Sequence, residues 1–132
     1  MKLVSAIALA TLLLTGGAHA DQTWALHGLF CNTEAQARGV LKHYVSKMSL
    51  HAAVAIINEG AINCVVADRN LYVVTQPLII DTITQRGFKL TMYDANLVGI
   101  LVGGNTRPIA PPLRTFFVLD KRLGGVPTLA GI

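Results

Sequence analysis

The sequence predicts an α+β domain: a strand, two consecutive helices, then a four- to five-stranded, mostly antiparallel sheet or partly closed barrel, stapled by one disulfide. Three observations carry that expectation. Helical periodicity is confined to one stretch after Asn32 and before Gly60, and everything beyond it reads as strands and turns, a grouping that favours α+β over alternating α/β. Of the 132 residues, the last 112 suit one small domain; 52% of the chain is hydrophobic and only 14% charged, so it can bury a core. Two cysteines, Cys31 and Cys64, bracket the helical stretch. The length excludes a multidomain enzyme, a complete dinucleotide-binding domain and a TIM barrel.

The first 20 residues have the three regions of a secretory signal peptide. Met1-Lys2 is a positive start, Leu3 to Leu14 is an apolar run broken only by Ser5 and Thr11, and Ala18-His19-Ala20 is a small-x-small cleavage site. The apolar core is about a dozen residues, against the roughly 18 a spanning helix needs. Cleavage is expected between Ala20 and Asp21, leaving residues 21–120 as a single domain and 121–132 as a weakly ordered tail containing Gly124, Gly125, Pro127 and Gly131. No transmembrane segment is expected in the mature chain: Leu97 to Val102 is apolar but too short, and Gly103-Gly104 closes it. The expected location is the periplasm. An oxidising compartment favours a Cys31–Cys64 bridge, worth about 3–4 kcal/mol through the loop it closes.

Residues 24–31 read as the first strand. Asn32 or Thr33 caps the first helix, Thr33 with Gln36 matches a capping box, and Glu34 complements the helix dipole. Ala37, Val40, Leu41, Tyr44, Val45 and Met48 form one apolar face. Ser49 is a second N-cap, Leu50, Ala53, Val54 and Ile57 form a shorter apolar face, and Asn58-Glu59-Gly60 ends it. The spacing predicts two helices meeting near residue 48, or one kinked there.

Ile62 to Ala67 and Leu71 to Gln76 read as a hairpin about Asp68-Arg69-Asn70, and Pro77 bends the Leu78-Ile79-Ile80 segment or confines it to an edge. Phe88 to Met92 alternates as a half-buried strand, and Leu97 to Val102 continues it after a bulge near Asp94-Ala95-Asn96. Gly103 to Pro112 reads as a loop and Leu113 to Leu119 as the last strand. The Pro-rich loop, with Asn105, Arg107 and the neighbouring Arg114, is the expected partner-binding segment: its prolines stiffen it and its arginines offer cations.

No catalytic, cofactor or metal signature is present. His27, His43 and His51 lack the spacing of a zinc ligand set, Ser46 and Ser49 lack a nucleophile elbow, and Asp68, Asp81, Asp94 and Asp120 fall where turns favour aspartate. Setting aside Lys2 leaves ten Lys and Arg against seven Asp and Glu, a formal +3 for the mature chain. These basic residues are scattered, without the aromatic-interleaved stripe of a nucleic-acid binder.

The segment Leu29-Phe30-Cys31-Asn32-Thr33-Glu34-Ala35-Gln36 resembles one found in uncharacterised small exported bacterial proteins, and the likeness extends to the Pro-rich loop and last strand. The resemblance implies no activity, cofactor or catalytic residue. The expected function is that of a non-enzymatic binding or interaction domain for an envelope protein or small ligand. The alternatives are an inhibitor of an envelope hydrolase and a small hydrolase or metal-dependent enzyme using His27, His43 or His51.

Overall fold

The computed structural model describes residues 22–44, 48–85 and 87–129. The signal peptide expected at 1–20, with Ala20 and Asp21 at its cleavage point, lies outside the described residues, as do Val45 and Ser46. The element order is β1 (Thr23–Cys31), α1 (Glu34–Tyr44), α2 (Leu50–Ile57), β2 (Cys64–Gln85), β3 (Phe88–Val102) and β4 (Asn105–Leu119). This is the α+β order that the sequence predicts. Every pairing is antiparallel, and β4 returns to β1, so the four strands close in a ring.

The helices start where their caps require. The Thr33 amide donates to Gln36 Oε1 at 3.0 Å and the Gln36 amide to Thr33 Oγ1 at 3.2 Å, a reciprocal capping box. Ser49 accepts from the Ala52 amide and opens α2. Arg38 donates to Glu34 one turn back and to Asp81 at 2.7 Å, tying α1 to β2. Ala37, Val40, Leu41, Ala53 and Val54 are buried against the outer face of the ring.

Alternation along the strands sorts side chains into two cores. Leu29, Cys31, Met92, Phe116 and Val118 face the helices, while Phe30, Tyr93, Phe117 and Leu119 fill the ring interior. Both faces of these segments are therefore buried, which explains their continuous apolar runs. Inside, Phe30 stacks on Phe117 at 5.1 Å and Phe117 on Tyr93 at 4.8 Å between ring centroids. The Cys31–Cys64 disulfide is formed, with Cα atoms 4.1 Å apart and the two residues directly paired in the β1–β2 register. It seals the base of the helical excursion.

Two local expectations are corrected. Asp68-Arg69-Asn70 makes no hairpin, since β2 runs unbroken through it. Ala67 pairs with Gly28 and Tyr72 with Leu26, so residues 68–71 form a bulge opposite His27. The Gly103 to Pro112 loop is also mostly strand. Gly103 and Gly104, at φ 57° and 85°, make a two-residue turn, and β4 begins at Asn105. Leu97 pairs with Leu113 and Gly99 with Pro108, so Ile109 to Pro112 bulge opposite Val98; the Ala110–Pro111 bond within this bulge is cis. The prolines are tolerated because, among the described residues, β1 pairs with β4 only from Phe116 to Val118, leaving the outer flank here without a ladder to interrupt.

The tail expected at 121–132 makes defined contacts as far as it is described. The Leu123 amide donates to the Tyr93 hydroxyl at 2.8 Å, Val126 is buried, and the Ile79 amide donates to the Pro127 carbonyl at 2.9 Å. The Leu129 amide returns a bond to the Ile79 carbonyl at 2.8 Å.

Candidate functional site

A bend in β2 creates the most distinctive concavity. Thr75 pairs with Asn96 and Leu78 with Asp94, leaving Gln76 and Pro77 to oppose Ala95 alone. Gln76 adopts φ 52°, and the chain bulges there as the proline predicts. Beside this bulge lies a cleft of about 540 Å³, with Trp24 from the start of β1, Asp94 and Asn96 from β3, Arg114 from β4 and Pro127 from the C-terminal segment among its walls.

Register explains why the polar groups meet. Asp94 and Asn96 are two apart on β3, so they share a face; Met92, on the same face, lies beneath the helices. Arg114 pairs directly with Asn96 and reaches diagonally to Asp94. Its Nε donates to Oδ1 at 3.0 Å and its Nη2 to Oδ2 at 2.6 Å, a two-pronged bond. Asp94 holds the Arg114 guanidinium above its ordinary range, first by hydrogen bonding and then by charge. The guanidinium also lies 5.1 Å from the Phe116 ring centroid. Next to this pair, Asn96 Nδ2 donates to Gln76 Oε1 at 2.9 Å.

The residues singled out in the sequence separate in space. Arg114 lines the cleft. Arg107 and Asn105 are exposed near the turn end of β4, opposite Ile100 and Val102, and line no part of it. His27 sits on β1, His43 in the last turn of α1 and His51 in the first turn of α2, none of them in the cleft. His51 Nε2 lies 3.5 Å from Asp68 Oδ2, with both side chains well exposed. Among the described residues, no group of three or more His, Cys, Asp and Glu is placed to hold a metal ion.

A second, smaller groove of about 140 Å³ is mainly apolar, with Ile62, Val65, Tyr72, Leu97 and Leu113 in its lining. No described helix is long and apolar enough to cross a membrane. The chain matches no protein-family model, no curated protein and no solved structure.

Sequence reasoning missed Trp24, Gln76 and Asn96 as site residues. Signals existed for two of them: Asp94-x-Asn96 breaks an apolar run on one face only, and Pro77 marks a bulge beside Gln76, whereas no local pattern marks Trp24.

Proposed function

We propose that this chain is a non-enzymatic periplasmic binding domain and that the cleft beside the Gln76–Pro77 bulge is its ligand site. The observation carrying the reading is the joint placement of Trp24, the Asp94–Arg114 pair and the Asn96–Gln76 pair around one concavity. A few convergent polar groups in a partly apolar cleft are the usual composition of a recognition site. The cleft's two ionised groups are bonded to each other. That holds charge in place, whereas acid–base chemistry needs a group free to exchange a proton at working pH. The disulfide is consistent with export to an oxidising compartment.

The test separates the two arginines. Envelope extract is passed over the immobilised, disulfide-bonded protein, and the retained components are compared for wild type, Arg114→Ala and Arg107→Ala. Arg114→Ala should lose what wild type retains, and Arg107→Ala should keep it. Loss with Arg107→Ala alone would move the site to the β3–β4 turn.

A further inference from the structure

Resting on that reading, we infer that the cleft binds a neutral saccharide, with a pyranose ring against Trp24 and its hydroxyls on Asp94, Arg114 and Asn96. The size fits: about 540 Å³ holds one or two sugar rings, within the range of small-ligand clefts.

Charge balance favours a neutral ligand. Arg114 is committed to Asp94 through two of its nitrogens, and Asp94 accepts with both oxygens. An anion approaching the guanidinium meets the Asp94 carboxylate beside it, and a cation approaching the carboxylate meets Arg114, so neither gains the attraction of an uncompensated charge. A neutral ligand leaves the pair intact and uses its remaining capacity: a guanidinium has five N–H groups and a carboxylate about four lone-pair sites.

The polar groups also match hydroxyls in kind. A sugar hydroxyl donates and accepts at once. Here an acceptor (Asp94), a donor (Arg114) and an amide offering both (Asn96) are neighbours on one face of the β3–β4 ladder. Vicinal hydroxyls can be held by such neighbours in pairs. An extended peptide would instead want alternating backbone partners along a strand edge. Pro77 and the half-buried Trp24, which also packs against the ring interior, supply apolar surface to the same cleft, suited to the C–H face of a pyranose.

Trp24 is the only tryptophan in the chain, so its fluorescence reports this cleft directly. The experiment titrates the oxidised protein with cellotetraose, maltotetraose and tetra-N-acetylchitotetraose, following Trp24 emission and heat of binding together. At least one should shift the emission and saturate below about 10 mM. Asn96→Ala and Arg114→Gln should each weaken that binding about tenfold, the effect of one lost hydrogen bond, and Arg107→Gln should leave it unchanged. Arg114 is well exposed, so its variant tests the site even if Asn96→Ala fails to fold. Silence toward all three sugars overturns the saccharide assignment. If tri-alanine or phosphatidylglycerol vesicles shift Trp24 while the sugars do not, the saccharide is wrong and the cleft reading survives. Heat of binding without a Trp24 response, insensitive to Asn96→Ala and Arg114→Gln, overturns both.

Discussion

Asn58 grips Cys64 by both of its backbone polar groups: Asn58 Oδ1 accepts from the Cys64 amide at 2.8 Å, and Nδ2 donates to the Cys64 carbonyl at 2.7 Å. Oδ1 also accepts from the Asn63 amide at 2.8 Å, and the Asn63 side chain donates to the Ile57 carbonyl at 3.0 Å. The end of α2 is thereby clasped to the first residue of β2, which is also the disulfide anchor. Asn58→Ala removes three partly buried bonds and is expected to cost about 2–3 kcal/mol, read as a lower urea midpoint at unchanged slope.

The disulfide closes a loop of 33 residues in sequence separation. Replacing Cys31 and Cys64 together by alanine should lower stability by about 3–4 kcal/mol in the chain-entropy account. Intact mass after alkylation without reduction should show no modified thiol in the folded wild type. Two modified thiols would contradict the bridge.

Gly28 precedes the segment of β1 that pairs with β4. Its φ is 148°, and a Cβ there would lie 2.9 Å from the Val118 carbonyl oxygen and 3.0 Å from Leu119 Cδ2. Gly28→Ala combines backbone strain with a clash against main chain and should cost about 2–4 kcal/mol. The loss should appear as faster hydrogen exchange at Phe116 to Val118, the segment of β4 that pairs with β1.

Burial raises the ionisation of Tyr72 above its ordinary 10.0. Folding favours the neutral phenol, so its contribution is complete below pH 10.0 and is lost as pH rises through the higher folded value. Stability should therefore fall on the alkaline side of that point. Tyr72→Phe should flatten that part of the profile and remove a late-ionising component from the tyrosinate absorbance.

Arg38 is also held above its ordinary range, first by Asp81 and then by Glu34. A raised cation stabilises fully below its ordinary value and is lost only above it, so this guanidinium adds no pH slope near neutrality. Its side chain is 42% exposed, and salt is the effective lever. Arg38→Ala should cost about 0.5–1 kcal/mol, a difference that shrinks in high salt.

Much of the fold is legible locally because its signals are local. Thr33 and Gln36 are three apart, Ser49 caps its own helix, and the cysteines are identifiable as a pair once an oxidising compartment is assumed. The segments that read wrongly depend on partners far along the chain. Asp68-Arg69-Asn70 has turn composition, yet β1 holds the flanking residues in one ladder and turns the segment into a bulge. The prolines of β4 read as loop because nothing local shows that their outer flank is free of a ladder. The cleft is hidden for the same reason: Asp94 and Arg114 are twenty residues apart and meet only when β3 and β4 take their register. Arg114 stands out in the sequence by its charge, whereas its carboxylate partner has the local look of a turn aspartate.

The closure of the ring has a consequence for the order of assembly. The bridge joins β1 to β2, so covalent linkage is complete within the first two strands, while β3 and β4 form a hairpin of their own across a two-residue turn. Among the described residues, only the Leu29–Cys31 segment of β1, against Phe116–Val118, joins the two halves on the closing side. In a chain delivered N-terminus first, the cross-linked half can be sealed before the closing hairpin arrives. Maturation would then end with β4 docking beside an already oxidised Cys31. Pulse-labelled hydrogen exchange during refolding should find Phe116 to Val118 protected last, and protection there before bridge formation would reverse the order.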